Sequence, residues 1–408
     1  KEKKLFCENV SLEKIAQEVA TPVFVYSKKF MIDRYKELNN AFENIPHKIY
    51  YACKANYNIN VIKLFNDLGA GIDVNSAGEF YRSLKAGVNP KNLIFSGVGK
   101  TKDEIELVLE NELKLIKAES YGEIELINNI AKKLGKIAPI AIRVNPNVDP
   151  ATHPYISTGL AENKFGIDET TAIEIFTKAS KLENIQLLGI DMHIGSQITK
   201  IEPYIEAAEK LVKLAEELKA KGISLTHIDL GGGMGIKYLD EKPFTAKEYA
   251  DAVIPILKKT DCEIFIEPGR YLTANSGCLL SEVLYVKNNL DKNFIIADAA
   301  MTELLRPSIY KAYHHIQPVN ISINEEFTAD IVGPVCESGD FLGKHRKIKK
   351  VKPNDLLAVM SAGAYGMVMA SNYNARLKPA EVLVDNEKFY IIRKRETLEQ
   401  LVQNEFLI

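Results

Sequence analysis

Lys54 closes the run Tyr50-Tyr51-Ala52-Cys53. Among apolar neighbours an ammonium is penalised, so this amine is expected to reach its neutral form and to make imines with carbonyl compounds. Much further along, Gly231-Gly232-Gly233 closes one apolar run and Glu267-Pro268-Gly269-Arg270 closes the next. Successive glycines let backbone N–H groups approach an anion without Cβ clashes, and Arg270 adds a charge-assisted grip suited to phosphate. Glu267 is a carboxylate that could face a ring nitrogen and keep it protonated.

His193-Ile194-Gly195-Ser196 ends another such run, placing an imidazole where it could lie flat on a ring and a hydroxyl where it could reach a phosphate. Arg143, in Arg-Val-Asn-Pro, could steady His193 or the ring. Each residue has a plainer reading by itself: a surface lysine, a satisfied core histidine, a tight turn. Together they are the parts of a pyridoxal-phosphate site, in which an electron-poor ring accepts the electron pair of a carbanion. A Glu at the ring nitrogen favours the deep sink that loss of CO2 demands, whereas an Arg there would suit racemisation.

Later in the chain, Gly333-Pro334-Val335-Cys336-Glu337-Ser338-Gly339-Asp340 sets a cysteine before two acids in a loop that makes a poor core element. Cys336 could return a proton to a carbanion, and Glu337 could bind an ammonium. Gly363-Ala364-Tyr365-Gly366 offers a phenol beside flexible backbone, suited to a phosphate or a substrate group. Arg306 and Tyr310, four residues apart, would share one face of a helical turn, although a solvated arginine is the plainer reading of Arg306.

Elements must bring these residues together. β-rich runs fall at 47–53, 70–75, 93–97, 113–118, 139–145, 187–194, 225–230 and 262–267, and stretches such as 124–134, 205–218 and 246–259 carry apolar residues at helical spacing. Strand–helix alternation predicts parallel strands with crossover helices. Eight such units, with no GxGxxG after the first, predict an α/β (β/α)8 TIM-type barrel, with a doubly wound sheet as the alternative. In such barrels reactive groups sit at the C-terminal strand ends, which here carry Lys54, Asp73, Ser96, Glu119, Arg143, His193, Gly231–Gly233 and Glu267–Arg270. After Thr273 the helical period weakens, and runs at 283–287, 294–297, 327–332, 356–360, 381–384 and 389–392 predict a mostly antiparallel β domain, a sandwich or barrel. The run 21–26 could add an N-terminal strand to it. The expected domains are therefore 28–275 for the barrel, and 1–27 with 276–408 for the β domain.

Composition excludes other classes. The chain has 408 residues, 46% hydrophobic and 26% charged, with a net charge of −2, so it carries no basic field for nucleic acid or an anionic membrane. No apolar run is long enough to span a bilayer. The charged start Lys1-Glu2-Lys3-Lys4-Leu5 lacks a signal-peptide core, which predicts a cytoplasmic protein. Cys7, Cys53, Cys262, Cys278 and Cys336 are odd in number and scattered, so neither a disulfide framework nor a metal site is expected.

The whole set resembles the fold-III pyridoxal-phosphate-dependent amino-acid decarboxylases over nearly the full chain. The marks are Tyr51-Ala52-Cys53-Lys54-Ala55-Asn56, Asp73 through Glu79, Lys164-Phe165-Gly166, His193 to Ser196, Gly231 to Gly235, Glu267 to Arg270, Arg306 to Tyr310, Cys336 to Asp340, and Gly363 to Gly366 with Ser371-Asn372-Tyr373-Asn374. The resemblance implies that Lys54 carries pyridoxal 5'-phosphate, that Asp73 and Glu79 support that lysine and the ring region, that His193 stacks on the ring and that Glu267 pairs with its nitrogen. It implies a phosphate held by Ser196, Gly231, Gly232, Gly233, Gly269, Arg270 and Tyr365. Substrate contacts would come from Arg270, Arg306, Tyr310, Glu337 and Tyr365, with Cys336 as proton donor. It also implies a homodimer whose sites are shared, the Cys-Glu loop coming from the partner. Asp298-Ala299-Ala300-Met301 departs from the commoner Asp-Ala-Gly-Met, which puts the local backbone in question.

The expected reaction is decarboxylation of meso-2,6-diaminoheptanedioate to L-lysine, which the resemblance implies is the last step of lysine synthesis; Arg306 and Glu337 would match a second carboxylate and ammonium. A decarboxylase of another basic amino acid, such as arginine or carboxynorspermidine, is the nearest alternative. A non-catalytic cofactor-binding regulator would need only the barrel.

Overall fold

Eight parallel strands close on themselves: His47–Ala52, Gly71–Val74, Leu93–Phe95, Leu115–Ala118, Ala138–Asn145, Ile185–Asp191, His227–Asp229 and Glu263–Ile266. Ile264, Phe265 and Ile266 of the last strand pair with His47, Lys48 and Ile49 of the first, so the sheet has no open edge. That closure excludes the doubly wound alternative. A short strand, Ile167–Asp168, adds to the end of the fifth barrel strand. The computed structural model describes residues 4–150, 158–159, 163–321 and 323–408. The chain divides into two units, and the barrel belongs to the one formed by residues 34–236 and 242–271.

Side chains fill the barrel, as the taper of eight strands requires. Tyr50, Ile94, Leu115, Ala141 and Phe265 form one buried cluster, with the Tyr50 and Phe265 rings 4.8 Å apart. His227 stacks on Phe265 at 4.4 Å, and a Cβ at Gly189 would lie 2.1 Å from its Nε2, so only glycine leaves room there.

Side-chain caps fix where the helices that follow the strands begin. Ser76 and Ser120, each two residues past a strand end, accept from the backbone of Glu79 and Glu123 and so start the helices Ala77–Lys85 and Tyr121–Leu134. Thr101 and Thr245 form capping boxes with Glu104 and Glu248 at the heads of Lys102–Glu110 and Ala246–Leu257. Such a cap stabilises by about 1 kcal/mol and, here, sets where the tip gives way to the helix.

The second unit comprises residues 1–33, 237–241 and 272–408. Its sheet runs, in spatial order, Phe341–Lys349, Glu326–Val332, Lys292–Ala297, Gly277–Asn289, Val23–Ser27, Ala380–Asp385 and Lys388–Arg393, with Leu356–Val359 also on Gly277–Asn289 and Ile316–Pro318 beyond it. Most pairings are antiparallel; Lys292–Ala297 with Glu326–Val332 and Val23–Ser27 with Ala380–Asp385 are parallel. Val23, Val25, Cys278, Leu280, Ala358, Val382 and Val384 form its core with Val10, Leu12 and Ile15. Phe341–Lys349 is a strand that its sequence does not announce. The run Lys344-His345-Arg346-Lys347 reads as solvated charge, yet Lys347 and Lys349 meet Glu326 on the paired strand at 3.1 and 3.2 Å. Among the described residues no helix is long and apolar enough to cross a membrane.

Ala300 stands at the departure from Asp-Ala-Gly-Met and is fully buried without a positive φ, so no glycine is required of it. Its N–H donates to Glu303 at 2.7 Å, and burial pushes the Glu303 carboxyl up to about 7. The room is made across the gap by Gly333, where a Cβ would lie 2.6 Å from Ala300.

Candidate active site

In the barrel unit, Lys54 sits in the single helical turn Cys53–Ala55 that immediately follows the first strand, half-buried between buried Cys53 and Ala55. The turn is pinned from the eighth strand. The Ala52 N–H donates to the Pro268 carbonyl at 3.2 Å, and Gly269 lies so close that a Cβ would be 3.0 Å from that of Ala55. Asp73, at the next tip, accepts from the Ser96 hydroxyl at 2.6 Å, while its other oxygen is buried without a hydrogen-bond partner. Burial pushes the Asp73 carboxyl up to about 7, with Glu267 adding to the rise and Lys54 opposing it. Glu79 accepts from the Asn75 N–H at 2.7 Å, which rigidifies the same tip.

Arg143 donates to Glu119 at 2.9 Å and to the His193 carbonyl at 3.3 Å, and it lies over the Phe165 ring at 4.8 Å. Gly166, next to that ring, donates to the other oxygen of Glu119 at 2.8 Å. The His193 imidazole accepts the Gly232 N–H on Nδ1 at 3.1 Å, which leaves its proton on Nε2. Burial, reinforced by Lys54 and Arg143, holds its pKa well below the usual histidine range, so the ring is neutral.

Glu267 has a partner that the sequence did not suggest. Lys117, in the fourth strand and 1% exposed, reaches Asp191 at 2.7 Å and Asp229 at 2.6 Å and pairs with Glu267. The three carboxylates lie within 4.8 Å of one another, a spacing that could hold a cation, and the cation they surround is the Lys117 ammonium. Burial alone would lower the pKa of Lys117, but Asp191, Asp229 and Glu267 hold it well above the ordinary lysine range. Burial in turn pushes Asp191 up to about 6 against the pull of Lys117. A lysine inside Leu-Ile-Lys-Ala gives no local sign of this; only the inward polar residues of other strands, Asp191 and Asp229, could have raised the question. We expect Lys117→Met to cost about 3–5 kcal/mol of stability, because it leaves facing buried carboxylates uncompensated. Urea denaturation checks this, and an unshifted midpoint would contradict it.

The glycine triplet is bound closely into the barrel rim. The Gly231 N–H donates to Asp229 at 2.8 Å and the Gly232 N–H to His193, so two of the three amides are engaged within the protein. Glycine is required there for packing: a Cβ at Gly231 would sit 2.3 Å from the Met192 carbonyl, and one at Gly232 would sit 2.1 Å from that of Glu267. Gly231 and Gly233 also have φ of +65° and +101°. Gly231 and Gly232 thereby lock the loop onto the sixth and eighth strands. Arg270, 5% exposed, donates to the Ser196 hydroxyl at 3.0 Å, which gathers two anion-binding groups at that same loop.

The β unit holds the other residues. Arg306 begins the short helix Arg306–Tyr310, is buried, and lies over the Tyr238 ring at 4.7 Å. Ser308 in that helix donates to the Gly339 carbonyl at 2.6 Å, tying it to the Cys-Glu loop. The loop is shaped by Asp340, which accepts from Met301 and Val335 at 2.7 and 2.8 Å, and by Asn374, which accepts the Cys336 N–H at 2.8 Å. Cys336 and Glu337 are exposed, unlike buried Cys53, Cys262 and Cys278, and all five cysteines are free thiols. A hydrogen bond to Glu337 raises the Tyr373 phenol above its usual range. Tyr365 adopts a left-handed φ of +55° between two close-packed glycines, Gly363 and Gly366. Thus the barrel gathers Lys54, Asp73, His193, Ser196, Glu267 and Arg270 at one set of tips, and the β unit carries Arg306 and Tyr310 on a short helix bonded to the loop of Cys336 and Glu337.

An amine, a neutral half-buried imidazole, a carboxylate and an Arg–Ser pair beside a glycine turn form a donor set that fits a phosphorylated pyridine aldehyde. Residues 29–274 match the family described as pyridoxal-dependent decarboxylase, pyridoxal binding domain. The diaminopimelate decarboxylase of Aquifex aeolicus is 48% identical over 98% of this chain and 95% of its own length. The crystal structure of diaminopimelate decarboxylase from Helicobacter pylori, complexed with L-lysine, is similar with a TM-score of 0.93 and 42% identity, covering 96% of this chain and 98% of that one. The diaminopimelate decarboxylase of M. jannaschii, also with L-lysine, gives a TM-score of 0.95 and 37% identity over 100% of this chain and 97% of that one.

Proposed function

Because the chain belongs to the pyridoxal-dependent decarboxylases, we infer that it is a carboxy-lyase that converts meso-2,6-diaminoheptanedioate to L-lysine and CO2, the last step of lysine biosynthesis. The observation that carries the substrate assignment is the buried Arg306, braced on Tyr238 and tied through Ser308 to the loop of Cys336 and Glu337. A guanidinium and a carboxylate would match the carboxylate and ammonium at the far end of this diamino diacid.

Pyridoxal 5'-phosphate, when bound, supplies the electron sink that accepts the pair left by departing CO2. Lys54 would provide the amine that holds it. Asp73 and Glu79 keep the tip around Lys54 in shape. His193, neutral and anchored through its carbonyl by Arg143, offers a flat face to the ring. Glu267, steadied by Lys117, would pair with the ring nitrogen. Ser196, Gly233, Gly269, Arg270 and Tyr365 would hold the phosphate, with Gly231, Gly232 and Pro268 shaping the loops around it. Arg306 takes the far carboxylate and Glu337 the far ammonium, with Arg270, Tyr310 and Tyr365 completing the substrate contacts. Cys336 would be the proton donor.

Residues 28–275 would carry the cofactor, and 1–27 with 276–408 the Cys-Glu loop and substrate contacts. The family resemblance and the exposure of Cys336 and Glu337 support a homodimer in which that loop completes a site on the partner. A biosynthetic role supports a cytoplasmic location.

The test is CO2 release from cofactor-loaded protein given meso-diaminopimelate, ornithine or arginine. Diaminopimelate should turn over fastest, because the other two bring no far carboxylate to the Arg306 guanidinium. Arg306→Ala and Glu337→Ala should each raise KM for diaminopimelate by about 10- to 100-fold, the loss of one charged hydrogen bond. Faster turnover of arginine or ornithine would move the assignment to a different basic amino acid.

A further inference from the structure

His314 is fully buried, four residues beyond Tyr310, and both of its ring nitrogens are in use. Nδ1 lies 2.8 Å from the Met360 carbonyl, which can only accept, so Nδ1 carries the proton. Nε2 is therefore a lone pair, and it lies 2.8 Å from Nη1 of Arg306, which can only donate. The partners alone decide the tautomer. Tyr238 braces the same group from another side: its ring is 4.7 Å from the Arg306 guanidinium and meets the His314 ring edge-on at 5.4 Å and 74°.

We propose that His314 is a positioning residue for substrate selection, which orients the Arg306 guanidinium through a neutral imidazole and leaves its charge undiminished for the far carboxylate of the substrate. The inference rests on the reading of Arg306 as the group that meets that carboxylate. An arginine left to its own soft torsions must be ordered each time a ligand binds, and that cost comes out of affinity. A carboxylate in the place of His314 would orient the guanidinium but would also neutralise it and compete with the substrate. A neutral acceptor, its proton fixed by Met360, orients without competing. Tyr238 adds a flat wall that restricts the plane of the guanidinium.

Three variants and the parent enzyme decide the matter: Arg306→Ala, His314→Leu and His314→Gln. His314→Leu keeps the bulk and removes the acceptor; it should raise KM for meso-diaminopimelate about tenfold, with kcat within about twofold and the visible absorbance of bound cofactor unchanged. Gln can accept from Arg306 through its oxygen and donate to Met360 through its nitrogen, so His314→Gln should restore KM to within about threefold of the parent. In the double variant His314→Leu/Arg306→Ala, KM should be no higher than in Arg306→Ala alone, because His314 acts only through Arg306. A raised KM for Arg306→Ala with an unchanged KM for His314→Leu would overturn the role of His314 and keep that of Arg306. An unchanged KM for Arg306→Ala would overturn the reading of Arg306 itself, and the inference with it. Should the Leu variant fail to fold, a folded Gln variant with KM raised tenfold or more would still overturn the proposal.

Discussion

Lys54→Ala is expected to lower turnover on the order of 10³-fold or more and to abolish the visible absorbance of bound cofactor, with little change in stability. The turn that carries Lys54 owes its shape to backbone and neighbours rather than to the amine. Ala52 is bonded to Pro268, Tyr51 donates to the Asn56 carbonyl at 2.8 Å, and Gly269 packs against Ala55. Removing the amine leaves these contacts in place and takes away the nucleophile. Lys117 is the natural competitor, because it too is buried at the site. Its three carboxylates keep it charged, and an ammonium is no nucleophile. Borohydride reduction of the loaded protein followed by digestion should thus place the label on the peptide of Lys54. A label on Lys117 would reverse the roles of the two lysines.

Mixing Lys54→Ala chains with Cys336→Ala chains should restore roughly a quarter of parent activity from two nearly inactive proteins. Lys54 belongs to the barrel unit and Cys336 to the β unit. If each site takes its lysine from one chain and its cysteine from the other, a hybrid dimer holds one site with both residues intact. Random exchange makes about half of all dimers hybrid, each with one good site of two, hence the quarter. Cys336→Ala alone must be nearly inactive for the measurement to speak, and a milder defect calls for a different partner mutation. No recovery after demonstrated exchange would mean that each chain completes its own site.

The barrel was legible because its strands are apolar runs and its tips are not. Lys54, His193, Gly231–Gly233 and Glu267 each interrupt a hydrophobic run at its downstream end, and every one of the eight predicted runs contains an observed strand or overlaps one. Other features lay beyond a local reading. Lys117 interrupts a strand just as Lys54 ends one, and only the closed barrel shows that Asp191 and Asp229 come round to meet it. The glycine triplet announced a tight turn, but whether its amides face outward or inward depends on Asp229 and His193, the one just before it in the chain and the other on the neighbouring strand's tip. Phe341–Lys349 was hidden because its charge is matched across the ladder by Glu326, a pairing no window of the sequence contains. His314 stood in plain view in Tyr313-His314-His315, with nothing to distinguish it from its neighbour until Met360 and Arg306 were placed on its two nitrogens.

Val23–Ser27 lies between two strands, with Val23 beside Leu280 on one side and Ala380 on the other. A ribosome makes this segment before the barrel and makes both of its partners after the last barrel strand. During synthesis the barrel can therefore be finished while Val-Phe-Val-Tyr-Ser still waits, apolar and with both edges unpaired. The pairing that ends the wait must close a loop over the whole barrel, which makes it a late and slow event. Until then the nascent chain carries an open adhesive edge, and it is in that interval, rather than in the finished protein, that this chain is most exposed to aggregation and to the attention of chaperones.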